Sequence, residues 1–248
     1  MPDIRDNVAI ITGGTRGIGA AIGITLAERG VRLVVNGRNT DEEVEQNLAT
    51  LRDLTDVEVL HGDAANPVTA DELAKTAQAR FGRIDFAVAA AGGPAPGKVT
   101  DLAVDQWMAA FDVHVHAVFH LFRATHAALA ERGGGFLMVG SVAGIRGCPG
   151  TVAYQVVKGA LPQFARALAR DHGHEGIRVN VIEPGIIRTR FHHAMTPEAE
   201  KNNLDNRIPL HRFGKAEDVA SASVELLTNP FITGETLVID GGMSMRIV

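Results

Sequence analysis

The single tyrosine of the chain and a lysine four residues after it could together perform acid–base chemistry. Tyr154 is the only tyrosine among 248 residues, and Lys158 follows it in a stretch with helical character. Residues four positions apart lie on one face of a helix. A free phenol has a pKa of about 10, and a neighbouring ammonium favours the phenolate and lowers that pKa. The spacing therefore predicts that Tyr154 is a general acid and base, with Lys158 as its charged neighbour.

A serine upstream of this pair could bind the oxygen of a substrate. Ser141 precedes Tyr154 by 13 residues and follows a short apolar run that is typical of a buried strand. In open α/β sheets, ligands bind at the carboxyl ends of the strands. The Ser141 hydroxyl is therefore expected to hydrogen-bond a carbonyl or alcohol oxygen beside Tyr154.

A glycine-rich turn near the start of the chain is typical of a phosphate-binding site. Its predicted ligand contacts are Gly13, Thr15, Arg16, Gly17, Ile18 and Gly19. Glycines allow the backbone to approach a pyrophosphate closely, and the N-terminus of the following helix offers free N–H groups. The glycines follow G-x-x-x-G-x-G rather than G-x-G-x-x-G, and no Lys-Ser or Lys-Thr follows them. The turn is therefore not expected to bind a nucleoside triphosphate. It is expected to bind a dinucleotide.

The end of the second predicted strand distinguishes between the two nicotinamide cofactors. An acidic residue there would bind a free ribose 2′-hydroxyl. The chain instead has Asn36, Gly37 and Arg38, with no acid. Because Arg38 and Arg16 could both face a 2′-phosphate, the sequence favours NADP over NAD.

The elements that must position these residues alternate between short apolar runs and longer amphipathic stretches. The predicted strands are Val8–Thr12, Val31–Asn36, Val57–Leu60, Ile84–Ala89, Phe136–Val139, Val179–Ile182 and Thr236–Ile239. The predicted helices are Gly17–Arg29, Asp41–Leu54, Pro67–Phe81, Val104–Glu131, Thr151–His172 and Glu217–Leu227. Such alternation indicates a parallel sheet with helices on both faces. We predict an α/β protein with a doubly wound, Rossmann-type sheet in three layers, forming a single domain over residues 1–248.

Composition excludes several other classes of protein. Hydrophobic residues make up 46% and charged residues 21%, which is enough apolar material for a core. The formal net charge is −5 without a basic cluster, so no nucleic-acid partner is expected. No apolar run reaches the roughly 18 residues that cross a bilayer, and the start does not look like a signal peptide. With one cysteine, the chain is expected to be cytoplasmic.

Taken together, these motifs resemble those of the short-chain dehydrogenase/reductase family in its short single-domain form. The resemblance covers essentially the whole chain. Its further motifs are Asp63, Gly92, Pro184-Gly185 with Thr189, Arg212-Phe213-Gly214 and Asp240-Gly241-Gly242. It implies that Tyr154 transfers the proton, Ser141 orients the carbonyl, and Lys158 lowers the tyrosine pKa and holds the nicotinamide ribose. The nicotinamide would exchange hydride with the substrate carbon.

The resemblance also implies the remaining cofactor contacts and a substrate lid. These contacts are expected at Asp63, Ala64, Ala91, Gly92, Pro184, Gly185, Ile186, Ile187 and Thr189. Asp63 would touch the adenine, and Ile186 and Thr189 the nicotinamide end. The irregular stretch at about 186–213 corresponds to a lid in the family. The residues that could shape the pocket are Phe191, His192, Met195 and Arg146.

Two departures from the family pattern concern the proton relay. Where the family has Asn-Asn-Ala-Gly, this chain has Ala89-Ala90-Ala91-Gly92. The catalytic asparagine of the family aligns with His114, which could replace it because a neutral histidine donates and accepts hydrogen bonds. A packed histidine without a role is the alternative.

Two further histidines and the long helix bear on metal binding and on assembly. His116 and His120 could share a helix face, but no third ligand lies at a persuasive spacing, so a metal is not expected. The helix from Val104 is apolar on more than one face, so a second subunit is expected to cover it. The family usually forms tetramers through this helix and the Tyr154 helix, which implies a homotetramer.

The predicted function is hydride transfer between NADP(H) and a small carbonyl compound or secondary alcohol, as in a carbonyl reductase or alcohol dehydrogenase. Two alternatives stay open. The lost asparagines could indicate an NADPH-binding sensor with little catalysis. Reduction of a 3-oxoacyl group on a carrier protein would need a basic docking patch, and only scattered arginines are present: Arg123, Arg166, Arg170 and Arg188.

Overall fold

A computed structural model of the protein describes residues 3–193 and 195–245. Its strands are β1 (Val8–Thr12), β2 (Arg32–Gly37), β3 (Val57–His61), β4 (Phe86–Ala89), β5 (Gly135–Val139), β6 (Arg178–Pro184) and β7 (Thr236–Ile239). They form one parallel sheet in the order β3-β2-β1-β4-β5-β6-β7. The strand order reverses between β1 and β4, which opens a crevice at their carboxyl ends. The predicted doubly wound parallel sheet is confirmed.

Helices cover both faces of this sheet. They are α1 (Gly17–Ala27), α2 (Glu42–Leu54), α3 (Pro67–Phe81), α4 (Val104–Phe111), α5 (Ala117–Arg132), α6 (Val152–His172), α7 (Pro197–Asn202) and α8 (Ala216–Thr228). The local sequence sets several of their ends. Asn66 accepts a hydrogen bond from the Val68 amide ahead of Pro67, and Gly82 adopts a left-handed conformation with φ +72° after α3.

Alternation along the strands produces two hydrophobic cores. In β1, Ile11 packs with residues of α1, α2 and α8, whereas Ile10 faces α3, α5 and α6. Successive side chains of a strand point to opposite faces of the sheet. Because β1 is central and covered on both sides, each of its residues must be apolar or internally hydrogen-bonded. The three predicted layers follow from this arrangement.

The structure corrects the predicted elements in three places. The first helix ends at Ala27 rather than Arg29, because a tight turn leads to Gly30 at φ +80°. The predicted long helix is interrupted by a π-helical turn at Asp112–His116. Strand β3, at one edge of the sheet, is only half-buried, so its covering is less complete than predicted. Periodicity does not reveal a helix that changes its hydrogen-bonding pattern without losing its axis.

Among the described residues, no helix combines the length and the apolar character that a membrane span needs.

A close approach of two backbones places Ser141 beside α6. Ser141 caps a short 3₁₀ turn at Val142–Gly144. A Cβ on Gly144 would lie 2.7 Å from the backbone carbonyl carbon of Lys158 and 2.8 Å from the amide nitrogen of Gly159. Only glycine allows this contact, because every other residue carries a Cβ. The turn can therefore rest directly on the helix that carries Tyr154 and Lys158.

The first prediction tests this contact. Gly144→Ala forces the turn away from α6, and overpacking of this kind costs about 1–3 kcal/mol of unfolding free energy. For a chain of this size we expect the melting temperature to fall by several degrees, measured by calorimetry. Gly147→Ala is the matched control, because a Cβ there meets nothing within 4 Å. Equal melting temperatures in the two variants would contradict the proposed role of the contact.

Candidate active site

The three predicted catalytic side chains come together at the carboxyl end of the sheet. Ser141 follows β5, and Tyr154 and Lys158 lie on the first turns of α6. The Ser141 hydroxyl hydrogen-bonds Tyr154 and accepts a hydrogen bond from the Ala143 amide at 3.2 Å. The Lys158 Nζ lies 5.7 Å from the centroid of the Tyr154 ring. The helical spacing therefore brings the phenol and the ammonium to one side of α6.

The protonation of Tyr154 differs from the sequence-based expectation. Burial raises the pKa of Tyr154, the hydrogen bond with Ser141 lowers it, and the nearby Cys148 raises it slightly. The net pKa is higher than that of a free phenol, so the predicted lowering is wrong in this structure. The reason is burial, which disfavours the charged phenolate and outweighs the hydrogen bond from Ser141. The phenol is therefore protonated at neutral pH.

Lys158 is a buried cation with a fixed position. It is 5% exposed, and its Nζ donates a hydrogen bond to the Val139 carbonyl at 2.6 Å. Burial lowers the pKa of Lys158 to about 8, and the charge of Glu183 opposes this effect. A buried ammonium is costly unless it is paired and hydrogen-bonded. The Val139 carbonyl gives the ammonium its hydrogen bond, and the charge of Glu183 favours its protonated form.

Glu183 is a residue that sequence reasoning missed. It is fully buried in β6, and within the described residues neither carboxylate oxygen has a hydrogen-bond partner. Burial raises the pKa of Glu183 to about 7, and Lys158 opposes the rise. Its Cγ would lie 2.9 Å from a Cβ on Gly140, the residue after Val139. The signal that could have revealed Glu183 in the sequence is that it is a lone acid in the apolar run before Pro184.

His114 lies beside Tyr154, as the alignment with the family asparagine predicted. The two rings meet edge to face, with centroids 5.5 Å apart. The His114 Nε2 bonds the Gly93 carbonyl at 3.0 Å and therefore carries the hydrogen, because a carbonyl only accepts. Burial and the charge of Lys158 lower the pKa of His114 to about 3. His114 is thus neutral, and its buried Nδ1 has no partner among the described residues.

The glycine turn forms a cradle at the N-terminus of α1. A Cβ on Gly13 would lie 2.8 Å from the backbone of Ala91, and one on Gly19 would lie 2.2 Å from the Gly13 carbonyl oxygen. Gly17 has φ +54°, and a Cβ on it would lie 3.6 Å from the Thr189 Cγ2. Arg16, the N-cap residue, makes no side-chain capping bond, so the first amides of α1 keep their hydrogens available. This cradle fits the pyrophosphate of a dinucleotide.

The two arginines predicted to face a 2′-phosphate have different partners. Arg16 donates to the Asp41 carboxylate at 2.7 Å, and Arg190 donates to the same oxygen at 2.6 Å. These bonds, that of Arg16 first, hold the pKa of Asp41 below its usual value. Arg38 is exposed and lies 3.5 Å from Asp63. Arg38 is therefore the more available of the two guanidinium groups.

Asp63 and Ala64 lie after β3, at the predicted adenine side of the crevice. The Asp63 carboxylate accepts a hydrogen bond from the Ala65 amide at 3.0 Å, so it also caps its own turn. Ala64 is buried. Both residues stand at the same edge of the sheet as the glycine turn, where the carboxyl ends of β1, β2 and β3 meet.

The segment after β6 borders the other side of the crevice. A Cβ on Gly185 would lie 2.7 Å from the Asp240 Cβ, so Pro184 and Gly185 press against the loop after β7. The Gly214 amide donates to the Ile186 carbonyl at 3.0 Å, and Ile187 is buried. Thr189 faces Gly17, as described above. These residues hold the predicted lid at its base.

The predicted lid has short helical elements of its own. Phe191 packs on Tyr154 with ring centroids 5.8 Å apart, and the Met195 sulfur accepts a hydrogen bond from Asn203 at 3.4 Å. Arg146 donates to the Ser244 carbonyl at 2.9 Å, which ties it to the C-terminal segment. Phe191 therefore reaches the predicted catalytic group. The His192 side chain and Ala194 lie outside the described residues.

Comparison with known proteins identifies the family. A family model described as enoyl-(acyl carrier protein) reductase matches residues 13–244. A 3-oxoacyl-[acyl-carrier-protein] reductase of Bos taurus is 35% identical over 244 residues, covering 98% of this chain and all of that protein. The protein with the same description from Rattus norvegicus is 33% identical, covering 97% of this chain and 99% of the relative.

A solved structure agrees with these matches. A short-chain dehydrogenase of Burkholderia cenocepacia in complex with NADP is 31% identical, with a TM-score of 0.90 over 98% of this chain and 99% of that one. Sequence and fold therefore agree with these proteins over nearly the whole length of the chain. The chain belongs to the short-chain dehydrogenase/reductase family of oxidoreductases.

Proposed function

We propose that the protein reduces a carbonyl compound to a secondary alcohol with NADPH, and that Ser141, Tyr154 and Lys158 perform the acid–base part of the reaction. The observation that carries this proposal is the buried Tyr154 phenol, hydrogen-bonded to Ser141 beside the Lys158 ammonium. The phenol is protonated at neutral pH, so an oxyanion that develops next to it can take up this proton.

Each residue of the site has a different role in the proposed reaction. When bound, NADPH supplies the hydride that goes to the carbonyl carbon. Ser141 orients the carbonyl oxygen, and the Tyr154 O–H gives that oxygen its proton, so the product is an alcohol. Lys158 stabilises the tyrosinate that this transfer leaves behind, because its ammonium lies near the ring. His114, neutral and edge-on to Tyr154, would take the place of the family asparagine in holding the water of the proton relay, with its unpartnered Nδ1 as the hydrogen-bond acceptor.

The cofactor would be held along the crevice by residues already described. The first amides of α1 would bind the pyrophosphate, and Arg38 with Arg16 would bind the 2′-phosphate. Asp63 and Ala64 would border the adenine, and Ile187 and Thr189 the nicotinamide end. The Burkholderia cenocepacia structure in complex with NADP supports this cofactor.

The relatives favour a narrower substrate class than carbonyl compounds in general. Proteins 31–35% identical to this chain along nearly its whole length are described as 3-oxoacyl-[acyl-carrier-protein] reductases. A 3-oxoacyl thioester presents the same reacting ketone as a simple carbonyl compound. We therefore propose a 3-oxoacyl thioester as the first substrate to test, ahead of small ketones and aldehydes.

The assembly is proposed from exposed apolar side chains on the helices beside the site. Met108, Phe119 and Val156 are between 44% and 46% exposed on α4, α5 and α6. Clusters of exposed apolar residues are typical of protein interfaces. We propose that these helices pair between copies of the chain in a homotetramer, as the family resemblance implies.

The role of Tyr154 gives the second prediction. Tyr154→Phe removes the proton donor but keeps the ring, so turnover should fall at least about 100-fold. NADPH oxidation is followed by absorbance with 3-oxoacyl thioesters and a panel of ketones and aldehydes. The affinity for NADPH, measured by fluorescence, should stay within a few fold of the unmodified value.

Two outcomes would contradict this function. Undiminished turnover in Tyr154→Phe would remove the proposed proton donor. NADPH binding without turnover on any substrate of the panel would favour the sensor that the lost asparagines suggest.

The third prediction concerns the 2′-phosphate. Arg38→Asp places a negative charge where the phosphate is proposed to bind, so affinity for NADPH should fall by about tenfold or more while affinity for NADH does not fall. Dissociation constants of both cofactors measure the change. Arg52→Asp, on the exposed end of α2, is the charge-matched control. An equal loss for both cofactors would show that Arg38 does not read the phosphate.

The fourth prediction concerns the pH dependence of activity. Glu183 opposes the lowering of the Lys158 pKa, so Glu183→Gln should lower that pKa further below about 8. Lys158 then loses its charge at a lower pH, and the alkaline limb of the kcat/KM profile should begin at a lower pH. Glu72→Gln, exposed on α3, is the control. An unshifted alkaline limb in Glu183→Gln would mean that Glu183 does not support the ammonium.

A further inference from the structure

Two histidines and a glutamate converge at the end of α6 opposite to Tyr154. His126 lies on α5, His172 ends α6, and Glu175 lies in the 3₁₀ turn that follows. The His126 Nε2 is 2.9 Å and the His172 Nδ1 is 2.8 Å from the same Glu175 oxygen. The donor atoms of all three residues lie within 4.8 Å of one another, and among the described residues no other group of three metal-ligand side chains does so.

This set of donors is suited to a divalent cation of intermediate softness. Two imidazoles and one carboxylate are the protein ligands of many zinc sites, which keep a fourth position for water. With bonds of 2.0–2.1 Å, the ligand atoms of a tetrahedral zinc ion are separated by about 3.3 Å. The observed separations of 2.8 and 2.9 Å need to open by only a few tenths of an ångström. One cation would replace the two hydrogens that now bridge the rings and the carboxylate.

The surroundings hold the imidazoles in place. Phe122 packs against the rings of His126 and His172, with centroids 5.8 and 5.1 Å away, and the two imidazoles are 4.7 Å apart. The three ligand side chains are between 27% and 33% exposed, so an ion could enter from solvent. Phe122 supplies part of a hydrophobic shell, which in metal sites controls the access of solvent.

We propose that His126, His172 and Glu175 form a Zn²⁺ site that joins α5 to the turn between α6 and β6. The site is separate from the proposed chemistry, because His172 lies 18 residues after Tyr154, or about 27 Å along the helix axis. Its effect is on stability: an ion that binds only the folded chain raises the melting temperature. The ion would also link α5 to the end of α6, and the sheet covers these two helices on one side only.

The test is a zinc titration of the full chain, purified without a histidine tag and treated with a chelator. Isothermal titration calorimetry with ZnCl₂ should show one equivalent bound per chain. His126→Gln and Glu175→Gln should each weaken binding more than tenfold and abolish the zinc-dependent rise in melting temperature. His116→Gln is the matched control, because His116 pairs with Asp112 at 2.9 Å as a single imidazole and carboxylate. Its zinc binding should equal that of the unmodified chain.

A second measurement keeps the test decisive if a variant folds poorly. Co²⁺ added to the unmodified chain should produce the visible absorption of a tetrahedral ion, and Zn²⁺ should remove it. Absence of saturable Zn²⁺ binding, equal binding in His126→Gln, or the weak spectrum of hydrated Co²⁺ would each show an ordinary hydrogen-bonded triad and overturn the proposal. Both readouts are independent of NADPH and of turnover.

Discussion

The buried ammonium of Lys158 is the charge around which the rest of the site is arranged. A cation with 5% exposure is stable only when nearby groups replace the water it has lost. The Val139 carbonyl supplies the hydrogen bond, and Glu183 supplies the opposite charge. The same positive charge helps to keep His114 neutral. Beside burial, the position of this one side chain therefore influences the protonation of His114 and Glu183.

The chain departs from its family near this site and keeps the predicted catalytic set of Ser141, Tyr154 and Lys158. The asparagines expected after β4 and in the long helix are absent, and alanines and His114 stand in their places. In the structure, Gly92 leaves room for the His114 ring, since a Cβ there would lie 2.5 Å from its Cε1. The π-helical turn at Asp112–His116 carries that ring toward Tyr154. Such turns often occur at functional sites because they re-aim a side chain inside a helix.

Close backbone contacts are the second constraint on the crevice. Gly13 rests on Ala91, Gly144 rests on α6, and Gly185 rests on the loop that begins at Asp240. The contacts of Gly13 and Gly185 join segments that are far apart in the sequence, and that of Gly144 joins two neighbouring elements. Together they bring the ends of β1, β4, β5 and β6 to the same crevice, where the proposed cofactor and substrate would lie.

The sequence by itself determined the layered parallel sheet, most element boundaries to within about two residues, and the grouping of Ser141, Tyr154 and Lys158. It could do so because strand and helix periodicities, glycine turns and a four-residue helical spacing are local properties of the chain. Only the tertiary structure decided that the pKa of Tyr154 is raised and that Val139 and Glu183 are the partners of the Lys158 ammonium. It also decided the pairing of Arg16 with Asp41. It alone brought His126 and His172 together. Burial, charge pairing and hydrogen bonding of these groups depend on residues distant in the chain, and no local pattern records such distances.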